Sequence, residues 1–369
     1  MISVFGSAFG EEEADALRKV ILSQWVGMGA ITDQFEKKFA ERLSLPDFVM
    51  VNSGSNALSL AVYLLNLPKK SEIILPSFTW VSCANAVLLA GHKPVFCDVD
   101  ESSQNVTAET IRPHITKKTG AIMVVHYAGK SVDMDPILDL GIPIIEDAAH
   151  AVDTKYKNRF CGSMGDIGIF SFDSIKNLAI GEAGGITANK PSLIKRAREL
   201  RYCGINKSGF KQAQENANSL WWRHEIKEIY HKLLPTDLSA ALGIIQLSRL
   251  DKLQVSRKKI WDYYQSALKK NDAIKLPIDA KKDETHSFFT FLIQVEKRDQ
   301  LAKHLYSKGI YTTLRYHPLH LEPIYKSKAK LTVTEQLAEN GLNIPLHPLL
   351  KKKETEKITK EILGFLNKA

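Results

Sequence analysis

From about residue 48 to residue 190 the chain alternates short apolar runs with longer segments in which apolar residues recur at helical spacing. The runs are Phe48-Val51, Ile73-Leu75, Pro94-Val99, Ile122-Val125, Ile142-Ile145 and Ile167-Phe172. Each is apolar on both faces, as strands are in a parallel or largely parallel sheet covered by helices on both sides. The pattern predicts an α/β domain. Beyond it, Leu238, Leu242, Ile245 and Leu250 mark a helix over Asp237 to Lys252, and an amphipathic helix continues from Asp251 to Lys270. A strand-like stretch at Ser287-Val295, a helix around Arg298-Lys308 and a last helix near Glu354-Leu366 read as a smaller α+β domain. The division falls near residue 248, inside helical sequence, which gives a large domain over 1–248 and a smaller one over 249–369. Asn206 to Asn218, rich in Lys, Gln, Asn and Ser, is expected to be a mobile loop.

A chain of 369 residues exceeds what one hydrophobic core usually covers, in keeping with two domains. The first residues, Met1 to Glu11, lack a basic segment followed by an apolar core, so a secretory leader is not expected. The longest apolar stretch, Ala57 to Leu67, is interrupted by Ser59, Tyr63 and Asn66 and is too short to span a bilayer. A cytoplasmic protein without membrane association is expected. Cys83, Cys97, Cys161 and Cys203 form no Cys-x-x-Cys pair, which argues against a zinc site and a redox pair and for reduced, structural thiols. The net charge of +9 comes from short lysine runs interleaved with acids and without interleaved aromatics, a solvated surface and not a nucleic-acid face. It favours an anionic small-molecule partner, such as a phosphorylated cofactor or a nucleotide-linked substrate.

In open α/β sheets ligands sit beyond the carboxyl ends of the strands. The polar residues that follow the runs are Asn52 to Asn56, Pro76 to Trp80, Asp98, His126, Asp147 and Lys176. They are expected to converge on one edge. Asp147 ends Ile142-Pro143-Ile144-Ile145-Glu146, and Lys176 follows Ile167 to Phe172. An acid and a lysine so placed are what a pyridoxal phosphate site needs: the lysine holds the aldehyde as a Schiff base and the acid keeps the pyridine nitrogen protonated. Either residue alone would read as a helix cap or a surface lysine; the pair makes the chain an enzyme. Ser53-Gly54-Ser55-Asn56 joins a strand to a helix, where backbone amides and hydroxyls form a phosphate cradle. Trp80 offers either a ring to stack on the cofactor or a core tryptophan.

Taken together, these motifs resemble the DegT/StrS family of fold-type-I, pyridoxal-phosphate-dependent sugar aminotransferases. The likeness runs through Gly27-x-Gly29 with Gln34-Phe35-Glu36, Asn52 to Leu58, Pro76-x-x-Thr79-Trp80, Asp98-Val99-Asp100, Glu146 to His150 and Ser171-Phe172-x-x-x-Lys176. It continues through Ala240 to Leu247, His317-Pro318-Leu319-His320 and Ile344 to Pro348. The resemblance implies a large domain with a mostly parallel seven-stranded sheet between helices, a smaller C-terminal α+β domain, and a homodimer with shared active sites. It makes Lys176 the Schiff-base lysine and proton shuttle, Asp147 the partner of the ring nitrogen, and His150 the contact of the phenolic oxygen. Gly54, Ser55, Asn56 and Ser171 become the phosphate cradle, Trp80 the ring platform and His320 a contact in the sugar cleft. No metal is implied. The implied reaction carries an amino group from glutamate to a nucleoside-diphosphate keto-sugar. A sister group replaces the lysine by histidine and removes a hydroxyl, so Lys176 favours amino transfer.

Two departures stand out. Gly181-Glu182-Ala183-Gly184 replaces the family's Gly-Glu-Gly-Gly, and Leu233-Leu234-Pro235-Thr236 occupies the stretch that usually supplies an asparagine to the neighbouring subunit's phosphate. Asn216, Asn218 or His231 are the alternatives for that contact. The second departure leaves open a regulatory or sensing protein of the same fold with weak turnover. A nucleotide-binding protein without this cofactor is disfavoured, because no Gly-x-Gly-x-x-Gly follows the first strand and no Walker lysine is present.

Overall fold

The computed structural model describes residues 1–207, 209–216 and 220–367. In chain order the strands are β1 (Val49–Val51), β2 (Glu72–Pro76), β3 (Lys93–Cys97), β4 (Thr119–Val125) and β5 (Ile144–Asp147), then a two-residue hairpin, β6 (Lys155–Tyr156) and β7 (Arg159–Phe160). They continue with β8 (Ile167–Ser171), β9 (Gly184–Ala188), β10 (Phe291–Gln294) and β11 (Gly341–Ile344). Seven of them form one sheet in the order β1-β9-β8-β5-β4-β2-β3. β9 runs antiparallel to both its neighbours and the other six strands are parallel, in keeping with the largely parallel sheet that the apolar runs predict.

β9 is the one sheet strand that the apolar pattern does not reveal, because it opens on Gly184-Gly185 and reads as a turn. The glycines are there for space. A Cβ on Gly185 would lie 1.9 Å from Phe48 Cζ, and one on Gly184 would lie 2.4 Å from the Gly54 amide nitrogen. β9 thereby lies close against the turn between β1 and the next helix.

One face of the sheet is sealed by an aromatic cluster, Phe35, Phe39, Phe48, Phe170 and Phe172, with the Phe39 and Phe48 centroids 4.4 Å apart. On the other face Val51, Ile73, Ile145 and Ile169 cluster with Leu60 of the helix Gly54–Leu64. Each such side chain contributes roughly 1.5–3 kcal/mol by leaving water, which fixes the strand ends that carry the polar groups.

The helix Asp237–Ser248 packs on the helices Glu11–Leu22 and Ala30–Arg42, whereas Leu250–Leu268 packs on Lys352–Leu366. Arg249 ends the first and opens the second. A separate core of Trp261, Tyr264, Phe291, Leu305, Ile344 and Ile358 surrounds the β10–β11 pair, and we propose the division between the two domains at Arg249. The chain crosses that division twice. Ile2 pairs with Ile310, and Leu319 and Leu331 return to the core of the large sheet.

The stretch expected as a loop at Asn206 to Asn218 contains a helix, Gly209–Glu215. Its Lys-Gln-Ala-Gln-Glu sequence is a run of good helix formers. Asn218 lies outside the described residues. Among the described residues no helix is long and apolar enough to cross a membrane.

Candidate active site

Asp147 ends β5 opposite Ile169 of the parallel strand β8, so the turns that follow β5 and β8 open on the same edge. A cavity of about 340 Å³ lies there, lined by Ser53, Gly54, Ser55, Trp80, Asp147, His150, Ser171 and Lys176, with Arg315 and Tyr316 facing them from the other side. Seven of the predicted cofactor and catalytic residues thus meet in one place, although up to 122 positions separate them in sequence.

At one end of the cavity Ser53 caps the helix Gly54–Leu64 and accepts from the Asn56 amide at 3.1 Å. Gly54 is required there: a Cβ would meet Ser171 Cβ at 2.7 Å and its Oγ at 2.9 Å. The result is a concave group of hydroxyls, from Ser53, Ser55 and Ser171, at the N-terminus of a helix, a site that favours a dianion. Asn56 does not line it. Its side-chain amide donates to Asn52 Oδ1 at 2.8 Å and its backbone amide is held by Ser53, so it braces the turn from behind.

At the other end Asp147 is 4% exposed. It accepts from the Ala149 amide at 2.9 Å and from the Cys83 thiol at 3.3 Å, and among the described residues no cation lies within ion-pair range. Burial raises its pKa, against those two hydrogen bonds and the more distant Lys176. Such a carboxylate lacks a counter-charge, and a protonated ring nitrogen would supply one. Cys83, expected as a reduced, structural thiol, is therefore also a donor to this acid.

Lys176 lines the same cavity. Burial, reinforced by the positive charge of Arg315, brings its pKa down to about 8, while Asp147 and Asp173 pull the other way. Its Nζ sits 4.8 Å from the centroid of Phe289. The same ring stacks on His150, with centroids 4.1 Å apart. His150 Nε2 meets the Tyr316 hydroxyl at 3.0 Å and its Nδ1 is buried without a partner. Burial holds His150 well below its ordinary pKa, so it is neutral at physiological pH. Trp80, 55% exposed, stands at the rim 5.6 Å from Tyr316.

Two polar groups expected at this edge, Asp98 and His126, and the histidine expected in the sugar cleft are employed elsewhere. Asp98 accepts from the Val333 and Thr334 amides and caps the helix Thr332–Asn340. His126 is fully buried against Glu146 at 2.9 Å. His320 does not line the cavity: Nδ1 meets Ser77 Oγ at 2.7 Å and Nε2 meets Glu335 Oε1 at 3.0 Å. Both ring nitrogens are taken, and the histidine ties the turn after β2 to the returning C-terminal segment. Phe289, Arg315 and Tyr316 were not legible as site residues, because they lie far along the chain from the sheet and reach the cavity only through the fold.

A hydroxyl cradle at a helix N-terminus, an unpaired buried acid and an amine of lowered pKa together fit a phosphorylated pyridine aldehyde. Comparisons with known proteins agree. The model of the DegT/DnrJ/EryC1/StrS aminotransferase family matches residues 7–363. The chain is similar to the dTDP-4-dehydro-2,3,6-trideoxy-D-glucose 4-aminotransferase of Saccharopolyspora spinosa, 36% identical over 98% of this chain and 96% of that one. Among solved structures, the aminotransferase TlmJ of Streptoalloteichus hindustanus is 34% identical with a TM-score of 0.94, covering 100% of this chain and 99% of its own. Spr1654 of Streptococcus pneumoniae, named as a sugar aminotransferase and solved in its PMP form, is 25% identical with a TM-score of 0.92, over 99% and 98% of the two chains.

Proposed function

The chain belongs to the DegT/DnrJ/EryC1/StrS aminotransferase family, and from that premise we propose that it moves an amino group from glutamate to C3 or C4 of a hexose keto-sugar carried on a nucleoside diphosphate. It is an aminotransferase of the pyridoxal 5'-phosphate-dependent, fold-type-I class. The observation that carries the reading is the placement of Asp147 and Lys176 on one cavity beside the cradle of Ser53, Ser55 and Ser171.

The bound cofactor supplies an aldehyde that condenses with amines and a ring that accepts the electron pair left when a proton leaves the substrate carbon. Asp147 keeps the ring nitrogen protonated, which its burial and lack of another cation favour. The three serines and the amides of the first helical turn hold the phosphate. Lys176 Nζ takes the proton from one carbon and returns it to another, as base and then acid. With a pKa of about 8, about a tenth of this amine is neutral at pH 7, against a few parts in ten thousand for an ordinary lysine. His150 holds a neutral ring beside the site, and Trp80 covers its mouth.

The surplus of positive charge suits a pyrophosphate-bearing acceptor. We assign a homodimer in the cytoplasm. Trp80 stands exposed at the mouth of the cavity, a ring that a second copy could cover, and none of Asn216, His231 or the Leu233–Thr236 segment lines the cavity of its own chain. Glutamate added to the holoenzyme should abolish the cofactor's visible absorbance, and a nucleoside-diphosphate keto-hexose should restore it. A spectrum that no amino donor changes would refute amino transfer and favour a sensing protein.

A further inference from the structure

Arg315 is 5% exposed and lines the same cavity. Its guanidinium lies between two rings, 4.3 Å from the Phe5 centroid and 4.7 Å from that of Phe289. Its Nη1 is buried without a hydrogen-bond partner. Among the described residues no carboxylate lies within ion-pair range of it, although Asp147, Asp173 and Glu182 line the cavity. The groups that do adjoin it are neutral or cationic: His150, uncharged at physiological pH; Tyr316, whose hydroxyl is pushed up to about 12; and Lys176.

A buried guanidinium left unpaired is expensive, and two aromatic faces offset only part of that cost. A site that keeps one is arranged for an anion that arrives with a ligand. The cofactor's phosphate already has the serine cradle, and its ring has Asp147. Arg315 remains. Lys176 Nζ and the Arg315 guanidinium are each within 5 Å of the Phe289 centroid, hence under about 10 Å apart. An α-amino acid whose amine reaches the position of Lys176 Nζ brings a carboxylate one carbon away, and the keto-sugar itself carries none.

We propose that Arg315 is the anchor for a carboxylate of the amino-acid donor, so that this one residue serves the donor half of the reaction. The planar fork of guanidinium suits a carboxylate through two parallel hydrogen bonds, and lysine cannot reproduce it. This inference rests on glutamate being the donor.

The test is binding of glutarate, a dicarboxylate without an amine, to the holoenzyme by calorimetry, beside binding of a nucleoside diphosphate. Arg315→Gln should weaken glutarate roughly tenfold to a hundredfold and leave the nucleotide unchanged; Arg315→Lys should fall between. Retained cofactor content reports folding, and if the glutamine variant does not fold, the lysine variant decides. Unchanged glutarate affinity in the folded variant overturns the proposal, and so does an equal loss of nucleotide binding, which would place the diphosphate on Arg315. Failure of glutamate to convert even the wild-type enzyme would instead remove the donor on which the inference rests.

Discussion

Replacing Lys176 by methionine should make the cofactor-free protein more stable, although it destroys the enzyme. The ammonium sits among Phe289, Ile175 and Arg315, and its pKa falls from 10.5 to about 8. At about 1.36 kcal/mol for each pH unit, holding that proton near neutral pH costs the folded chain about 3 kcal/mol, trimmed to about 2 kcal/mol because Lys176 is partly open to the cavity. Methionine fills similar volume without charge. Because the folded value lies below the unfolded one, the unfolded chain binds the extra proton between about pH 8 and 10.5, and the wild type gains stability as pH rises through that window. The Lys176→Met advantage should therefore be full at pH 7 and vanish by about pH 10.5. Urea unfolding of both cofactor-free proteins from pH 7 to 10.5 measures the difference, in which all other titrations cancel. A difference that stays flat over that range, or a variant less stable at pH 7, would show that the amine is not desolvated, and its role as a base at neutral pH would lose its basis.

Gly54→Ala should fold, since alanine favours a helix by about 0.8–1 kcal/mol over glycine, yet its Cβ would press on Ser171 at 2.7 Å. Cofactor affinity, followed by quenching of Trp80 fluorescence, should fall at least tenfold, and an unchanged affinity would move the phosphate elsewhere. His320→Phe should lower stability by about 1–3 kcal/mol, through loss of the ring's hydrogen bonds to the buried Ser77 hydroxyl and to Glu335, with little change in the acceptor's KM. Intact stability with a tenfold rise in that KM would make His320 a sugar contact after all.

The strands that build the site were legible because a strand buried on both faces must be apolar throughout, and Ile144-Ile145 or Ile167 to Phe170 admit no other reading. Asp147 stood out for a related reason, as an ionisable residue ending a buried strand, and Lys176 through its place soon after another such strand. β9 was hidden because its glycines serve a neighbour distant in sequence, Phe48.

The chain by itself thus determined the α/β class and the family, and pointed to the sheet edge on which Asp147 and Lys176 meet. Tertiary structure decided the rest. Asp98 and His320 look like site residues in the chain, but helix caps and buried hydroxyls claim them. Phe289 and Arg315 look unremarkable in the chain, yet the fold brings them to the Lys176 cavity from far along the sequence. The physical reason is range. Periodicity reports which face of an element leaves water, a local property, whereas the field around Lys176 is summed over groups that only the folded chain brings within a few ångströms.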